Sequence, residues 1–579
     1  MTLRVAGTAA AAVAATGLIC LGPVAPAPAG AGAASPACTP PSYPSLGVDV
    51  DGTLFFSTTD SVDRRRLWKT DGTRAGTVLV KDLGKGAEIR QYTLTAAGGT
   101  LFFLADDGEH GWEVWRSDGT RAGTRMVKDV STTHSPYTGP LDFTVAGDTM
   151  FFTANDGVHG RELWRTDGTR SGTVLVKDIG PGTNKRGPGI LGAVGDTVFL
   201  VADDGEHGVE LWKTDGTRAG TVLVEDLRPG PGSSSFAGGV VADDKVFLAV
   251  GKSSNGQDLW TSDGTEAGTV LVRHFDPDDA DFSYGIEDLT AAGDRLFFTA
   301  NDGVHGREVW TSDGTEAGTV MVKALASDTG YYTERYGPYY LGPRRLRAVG
   351  DQVFFTADDD VHGGELWRSD GTEAGTVLVA DVRPGASASA PGPVTAVGEQ
   401  VFFTADDGVH GRELWRSDGT PAGTALVRDV DANDDYYYPG VERVATSGGL
   451  VFFSADDGVR GRELWRSDGT REGTALLRDI AVKNRLDILG YDWKPYVLSV
   501  RFYTSGDGTL RVRPVAGSEI EPSRQFLEGG QGDHSIRLTR AGEAQLRRTG
   551  QLRVTARFTY VPCAGETLSE VRSYTLKRR

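Results

Sequence analysis

The chain has 579 residues, 39% of them hydrophobic and 24% charged, with 79 glycines and a formal net charge of −19 at pH 7. Residues 490–579 hold 15 Lys and Arg against 9 Asp and Glu, so that segment carries +6 and the residues before it carry −25. An acidic body of this size argues against nucleic acid as a partner, because phosphate binding needs basic surface.

Residues 1–33 read as a secretory signal: Arg4 is their only charge, residues 9–21 are apolar, and small residues follow through Ala27-Pro28-Ala29 and Ala31-Gly32-Ala33. Cys20 is preceded by Leu18-Ile19, where lipidation needs a small residue, so no lipid anchor is expected. No later apolar run approaches the ~18 residues that span a bilayer, and no membrane insertion is expected. Cys38 and Cys563 are the cysteines left after the signal. A disulfide between them is the expected reading for an exported chain, with two free thiols as the alternative, because sequence does not give their Cα separation.

Residues 34–484 are a repeat array. Tryptophan returns every 47 to 57 residues, at Trp68, Trp115, Trp164, Trp212, Trp260, Trp310, Trp367, Trp415 and Trp465. In the sixth unit, Leu289-Thr290-Ala291-Ala292 is a short strand of small residues and Gly293-Asp294 a hairpin turn. Then come an aromatic strand, Leu296-Phe297-Phe298-Thr299-Ala300, an alternating one, Arg307-Glu308-Val309-Trp310, the turn Ser312-Asp313-Gly314-Thr315 and a fourth strand, Gly318-Thr319-Val320-Met321-Val322. Four short antiparallel strands at this period predict an all-β fold, a single propeller of about nine four-stranded blades. First strands such as Gly192-Ala193-Val194 suit a crowded axis, and paired aromatics such as Phe402-Phe403 suit a strand that meets a neighbouring blade on each face.

Residues 413–420, ELWRSDGT, with eight variants elsewhere, resemble the ELWxxDGT repeat of bacterial exported and surface proteins. The resemblance covers about three quarters of the chain and implies a β-rich array without an established activity or ligand. Two units depart from it, with Arg66-Leu67-Trp68 in the first and Asp258-Leu259-Trp260 in the fifth, which also lacks the DGxHG turn. In six units a histidine (His110, His159, His207, His305, His362 or His410) stands three residues before a glutamate. Such an Asp, His and Glu group has metal-ligand chemistry, but six copies point to six similar turns, and Arg460 replaces His in the ninth unit.

Function is expected where the units differ, in the connections from each fourth strand to the next blade. Two are tyrosine-rich, and Tyr331, Tyr332, Tyr339, Tyr340, Tyr436, Tyr437 and Tyr438 are the predicted ligand-binding residues, with Asp431, Asp434 and Asp435 beside them. Their alternative role is to cover the ring. Asp429, Asp431, Asn433 and Asp435 alternate in the manner of a calcium loop, so calcium is the one cofactor considered, although the glycine and terminal glutamate of an EF-hand are missing.

Residues 490–579 are expected to form a small β-sandwich, with strands near residues 497–503, 510–513, 552–560 and 573–576 and a helical turn opened by Thr539. They resemble the immunoglobulin-like domains that end many exported actinobacterial proteins. The chain is thus expected to be a secreted, monomeric binding protein for an extracellular glycan or envelope protein, with no catalytic residue assigned. The alternative is an extracellular glycosidase or lyase using non-repeating residues: His134, His274 with Arg273, or the acidic run Asp276 to Asp281.

Overall fold

Nine antiparallel sheets follow one another along the chain, each with its four strands hydrogen-bonded in sequence order. This computed structural model describes residues 42–45, 47–60, 64–131, 139–180, 182, 187–251, 256–275, 285–325, 342–430, 440–457, 462–478, 486–494, 497–504, 508–527, 530–562 and 568–577. Blade 6 is representative, with strands Glu287–Ala292, Arg295–Asn301, Arg307–Ser312 and Val320–Lys323. The fourth strand starts at Val320 rather than Gly318, because Gly318 belongs to the turn, where it lies against the Asp313 carboxylate with no room for a Cβ. Blades 1 and 2 each carry one further short strand, Ser42–Pro44 and Glu88–Ile89.

The alternation of strand side chains decides how the blades meet. In the paired aromatics the first faces the next blade and the second faces the previous one. Phe55, Leu67 and Val80 of blade 1 thus pack with Leu101, Phe103, Ala105 and Trp115 of blade 2. Eight seams of this kind join consecutive blades. A ninth joins Phe452, Leu464 and Leu477 of blade 9 to Leu54, Phe56 and Trp68 of blade 1, and it closes the ring. Two polar contacts cross the same closure: Arg466 Nη1 donates to the Gly72 carbonyl at 2.6 Å, and the Ser447 hydroxyl bonds the Asp49 carboxylate.

First strands of neighbouring blades lie side by side at the axis. There a Cβ on Gly192 would come within 3.0 Å of Val241, and one on Gly239 within 3.1 Å of Leu191, so a side chain at either place would press on the neighbouring blade.

After the ring, seven strands form a sandwich around a separate core that includes Leu498, Val500, Leu510, Val554, Phe558 and Tyr560. The first, second and fifth strands (Leu486–Lys494, Val497–Thr504, Gly530–Arg537) make one sheet. The fourth, third, sixth and seventh (Ser523–Leu527, Gly508–Pro514, Gln551–Pro562, Leu568–Lys577) make the other. In the constant-type immunoglobulin arrangement the fourth strand pairs with the first sheet; here it pairs with the third strand. The helical turn opened by Thr539 extends to a ten-residue helix, Arg540–Thr549, which Thr539 caps by accepting from the Gly542 amide and left-handed Gly550 ends.

If the ninth seam bears load like the other eight, Phe452→Ala at the closure and Phe402→Ala between blades 8 and 9 should each destabilise the protein by about 3–5 kcal/mol. Chemical denaturation checks this. A closure variant as stable as wild type would mean an open arc.

Candidate functional site

Each residue of the repeated motif has a structural task. In the DGT turn, the Asp118 carboxylate accepts from the Thr120 amide at 2.8 Å and from its hydroxyl at 2.7 Å, and the Ser117 and Thr124 hydroxyls bond each other at 2.7 Å. Gly119 takes φ +81° and lies against Phe55 of the previous blade, so the turn is also part of the seam. A cation on the outer strand then clasps the next blade. Lys128 Nζ donates to the Thr173 carbonyl at 2.8 Å and stands 5.4 Å from the ring centre of Trp164. Lys81, Lys177, Arg273, Lys323 and Arg428 do the same.

The motif glutamate is buried and holds the outgoing connection. Glu113 accepts from the Val130 and Ser131 amides at 3.1 and 2.7 Å, and Glu162 accepts from Ile179 and Gly180, both at 3.1 Å. Glu210, Glu308, Glu365 and Glu413 likewise accept from Leu227, Leu325, Val382 and Val430. In the two departing units the corresponding residue instead pairs with the side chain directly opposite it on the fourth strand. Arg66 Nε bonds the Asp82 carboxylate at 3.2 Å in blade 1, and in blade 5 Asp258 bonds His274 Nδ1 at 2.6 Å.

Histidines of the DGxHG turns are occupied too. His110 is bonded through its amide and its Nδ1, both at 2.9 Å, to the Asp107 carboxylate, and His159, His207, His305, His362 and His410 repeat the arrangement with Asp156, Asp204, Asp302, Asp359 and Asp407. Among the described residues no group of three or more His, Cys, Asp or Glu could hold a metal ion. Antiparallel geometry puts these turns and the clamped connections at the same end of the blades. A shallow depression there, lined by Arg161, Glu162, Ile179, Gly180, Gly187 and Asp203, has room for little more than a water molecule and is far too small for a small-molecule ligand.

Most of the predicted site lies outside the described residues: Tyr331, Tyr332, Tyr339, Tyr340, Tyr436, Tyr437, Tyr438, Asp431, Asn433, Asp434 and Asp435, together with Cys38, Cys563, His134 and the run 276–281. Asp429 is described and follows the outer strand of blade 8, where its charge adds to the Asp407 hydrogen bond that raises the His410 pKa. Of the enzyme candidates, His274 and Arg273 are accounted for by the Asp258 pair and the Trp310 clasp.

Sequence reasoning missed three strained residues on the inner strands. Asp142, Asp288 and Arg345 have φ of +55°, +52° and +59° where the strand register breaks. Asp288 accepts from the Arg345 amide of the next blade at 3.0 Å, and Arg307 pairs with Glu287 at 2.5 Å. The available signal was a charged residue two places ahead of Thr144, Thr290 and Arg347.

No protein-family model matches the chain, and no curated protein matches it. Among solved structures it is similar to a mutant of puromycin hydrolase at 14% identity and TM-score 0.35, over 71% of this chain and 58% of that one. It is also similar to an uncharacterized protein of Listeria monocytogenes EGD-e, at 10% identity and TM-score 0.33, over 59% and 95%. A prolyl endopeptidase matches at 13% identity and TM-score 0.34, over 81% and 54%. The chain thus spans little more than half the length of the hydrolase and the endopeptidase, and at these TM-scores the likeness says nothing about activity.

Titration of the clamps and turns sets a pH optimum. Burial outweighs the amide bonds and pushes the Glu113 carboxyl up to about 8 and those of Glu162 and Glu365 up to about 7, from an ordinary 4.5. These groups bind protons more tightly when folded, so their stabilisation is complete below 4.5 and is lost as pH rises through 7 to 8. His110 and His159, raised from 6.5 by the bond to Asp, lose theirs in the same direction. Burial alone would raise the Asp107 carboxyl, but the bonds from His110 outweigh it and hold it below 3.8, so its stabilisation is lost only in stronger acid. Melting temperature should therefore peak near about pH 4 to 4.5 and fall as pH rises to about 8. Glu113→Gln, Glu162→Gln and Glu365→Gln combined should flatten the alkaline side; an unchanged slope would remove the clamps as its cause.

Proposed function

We propose that the protein is a secreted, non-catalytic binding protein of the cell exterior that takes an extracellular glycan or envelope protein on the loop face of its propeller. The observation that carries this reading is a set of valines. Val158, Val304, Val361 and Val409 stand at one position of the DGxHG turn and are 69, 76, 62 and 73% exposed. A turn needs no apolar side chain at its tip, and we read these valines, repeated at equivalent places along one end of the ring, as part of a surface that meets a partner. Three of the four lie on successive blades, 6, 7 and 8, and the tyrosine-rich connections 326–341 and 431–439 leave blades 6 and 8.

Rigidity supports the reading as well. The Asp to His bonds fix each valine, and Glu308 and Glu413 fix Leu325 and Val430 at the roots of the two tyrosine connections. A surface ordered before binding loses less entropy on binding. Valines, tyrosine rings and neighbouring carboxylates suit the apolar face and hydroxyls of a sugar, or the side chains of a peptide. Export rests on residues 1–33, and calcium at Asp429, Asp431, Asn433 and Asp435 would brace the second connection.

Two variants test the proposal on glycan arrays and on envelope extract, with and without calcium. Val304→Asp, Val361→Asp and Val409→Asp combined, and separately Tyr340→Ala with Tyr437→Ala, should each abolish binding while moving the melting temperature by no more than about 2 °C. Binding that persists while stability collapses would make these residues part of the packing. Turnover of a bound glycan would make the protein an enzyme.

A further inference from the structure

The clasp between blades is present at six described seams and altered at two. Where blade 4 meets blade 5, the outer-strand cation is replaced by Glu225; where blade 7 meets blade 8, by Ala380. The tryptophans opposite these two positions, Trp260 and Trp415, are the part-exposed ones, whereas the seven other motif tryptophans are buried. Among the described residues no side chain reaches the carbonyl of Thr269 or Thr424, which correspond to the six carbonyls that accept from Lys or Arg elsewhere.

The two open seats differ in charge. At blades 7 and 8 the positions equivalent to the cation and to the second turn residue hold Ala380 and Pro421, neither of them charged. At blades 4 and 5 both corresponding positions are acidic, Glu225 and Glu266. Burial and the nearby Glu266 and Asp226 raise the Glu225 carboxyl above its ordinary value, which places the two glutamates within electrostatic reach of one another. Beside them the outer strand leaves Val270 and Leu271 44 and 49% exposed, and Val222 of blade 4 is 38% exposed.

We infer that the seam between blades 4 and 5 is a receptor for a lysine or arginine side chain of a partner polypeptide, held over the Trp260 ring, on the Thr269 carbonyl and between Glu225 and Glu266. The chain itself supplies the precedent, since six sister seams hold an ammonium or guanidinium in this seat at 4.7 to 5.9 Å from the tryptophan. In those seams the aliphatic stem comes from the outer strand. Here it must come from outside, and Val222, Val270 and Leu271 provide apolar surface for the partner's backbone and stem. The site lies on the outer strands and is independent of the loop-face reading.

Isothermal titration of the full chain with an acetylated tetralysine amide tests it. Wild type should bind one peptide. Glu225→Lys refills the seat with the chain's own cation and should weaken binding at least tenfold while raising the melting temperature. Trp260→Leu should also weaken binding at least tenfold. Glu316→Lys makes the same charge change beside a seat already filled by Arg273, and it should leave binding within twofold. The inference is overturned if wild type does not bind, if Glu225→Lys and wild type bind alike, if Glu316→Lys weakens binding as much as Glu225→Lys, or if ethylammonium binds as tightly as the peptide, which would make the seat a site for small free cations.

Discussion

A β-sheet buried on both faces has no stable existence alone, and the seam between adjacent blades is the contact on which the rest of this structure depends. Each blade offers one face built from its first aromatic, its motif leucine and an outer-strand valine, and another built from its second aromatic and its tryptophan. The first face of one blade fits the second face of the next, so the rule that joins blades 1 and 2 also joins blades 9 and 1. Closure then leaves no blade with a dry face in water. The uniformity of the repeat follows from this reciprocity, because a change in one face must suit a neighbour built to the same pattern.

Polar groups of the motif direct the seam and add little apolar area to it. The outer-strand cation lies over an indole and on a carbonyl of the next blade, which fixes the register of one sheet against the other. The buried glutamate ties the connection that leaves the outer strand to the third strand, so that the variable segment starts from a fixed root. In blades 1 and 5, Arg66 with Asp82 and Asp258 with His274 put a side-chain pair between the third and fourth strands at the corresponding place. The motif's carboxylates and imidazoles are committed to holding the scaffold, and the proposed recognition falls to positions the scaffold does not use: turn tips, connections and the seams where a clasp is missing.

Much of this was legible in the sequence. The tryptophan period, the small inner strands and the paired aromatics determined an all-β ring and its blade count, because a strand's side-chain alternation is strict and each unit repeats the same burial problem. The helix opened by Thr539 was legible through its cap, but its ten-residue length depended on Gly550 and on burial of Leu546 against the sandwich core. Only the tertiary structure showed that Lys128 and its counterparts reach the next blade, that Glu113 clamps a connection, that Val361 and Val409 stand in water, and that Trp260 is missing its cation. Motif letters record which residues recur within a blade. Each of these other facts is a relation between residues 17 to 53 positions apart, or between a side chain and solvent, and such relations exist only once the strands have paired and the blades have packed.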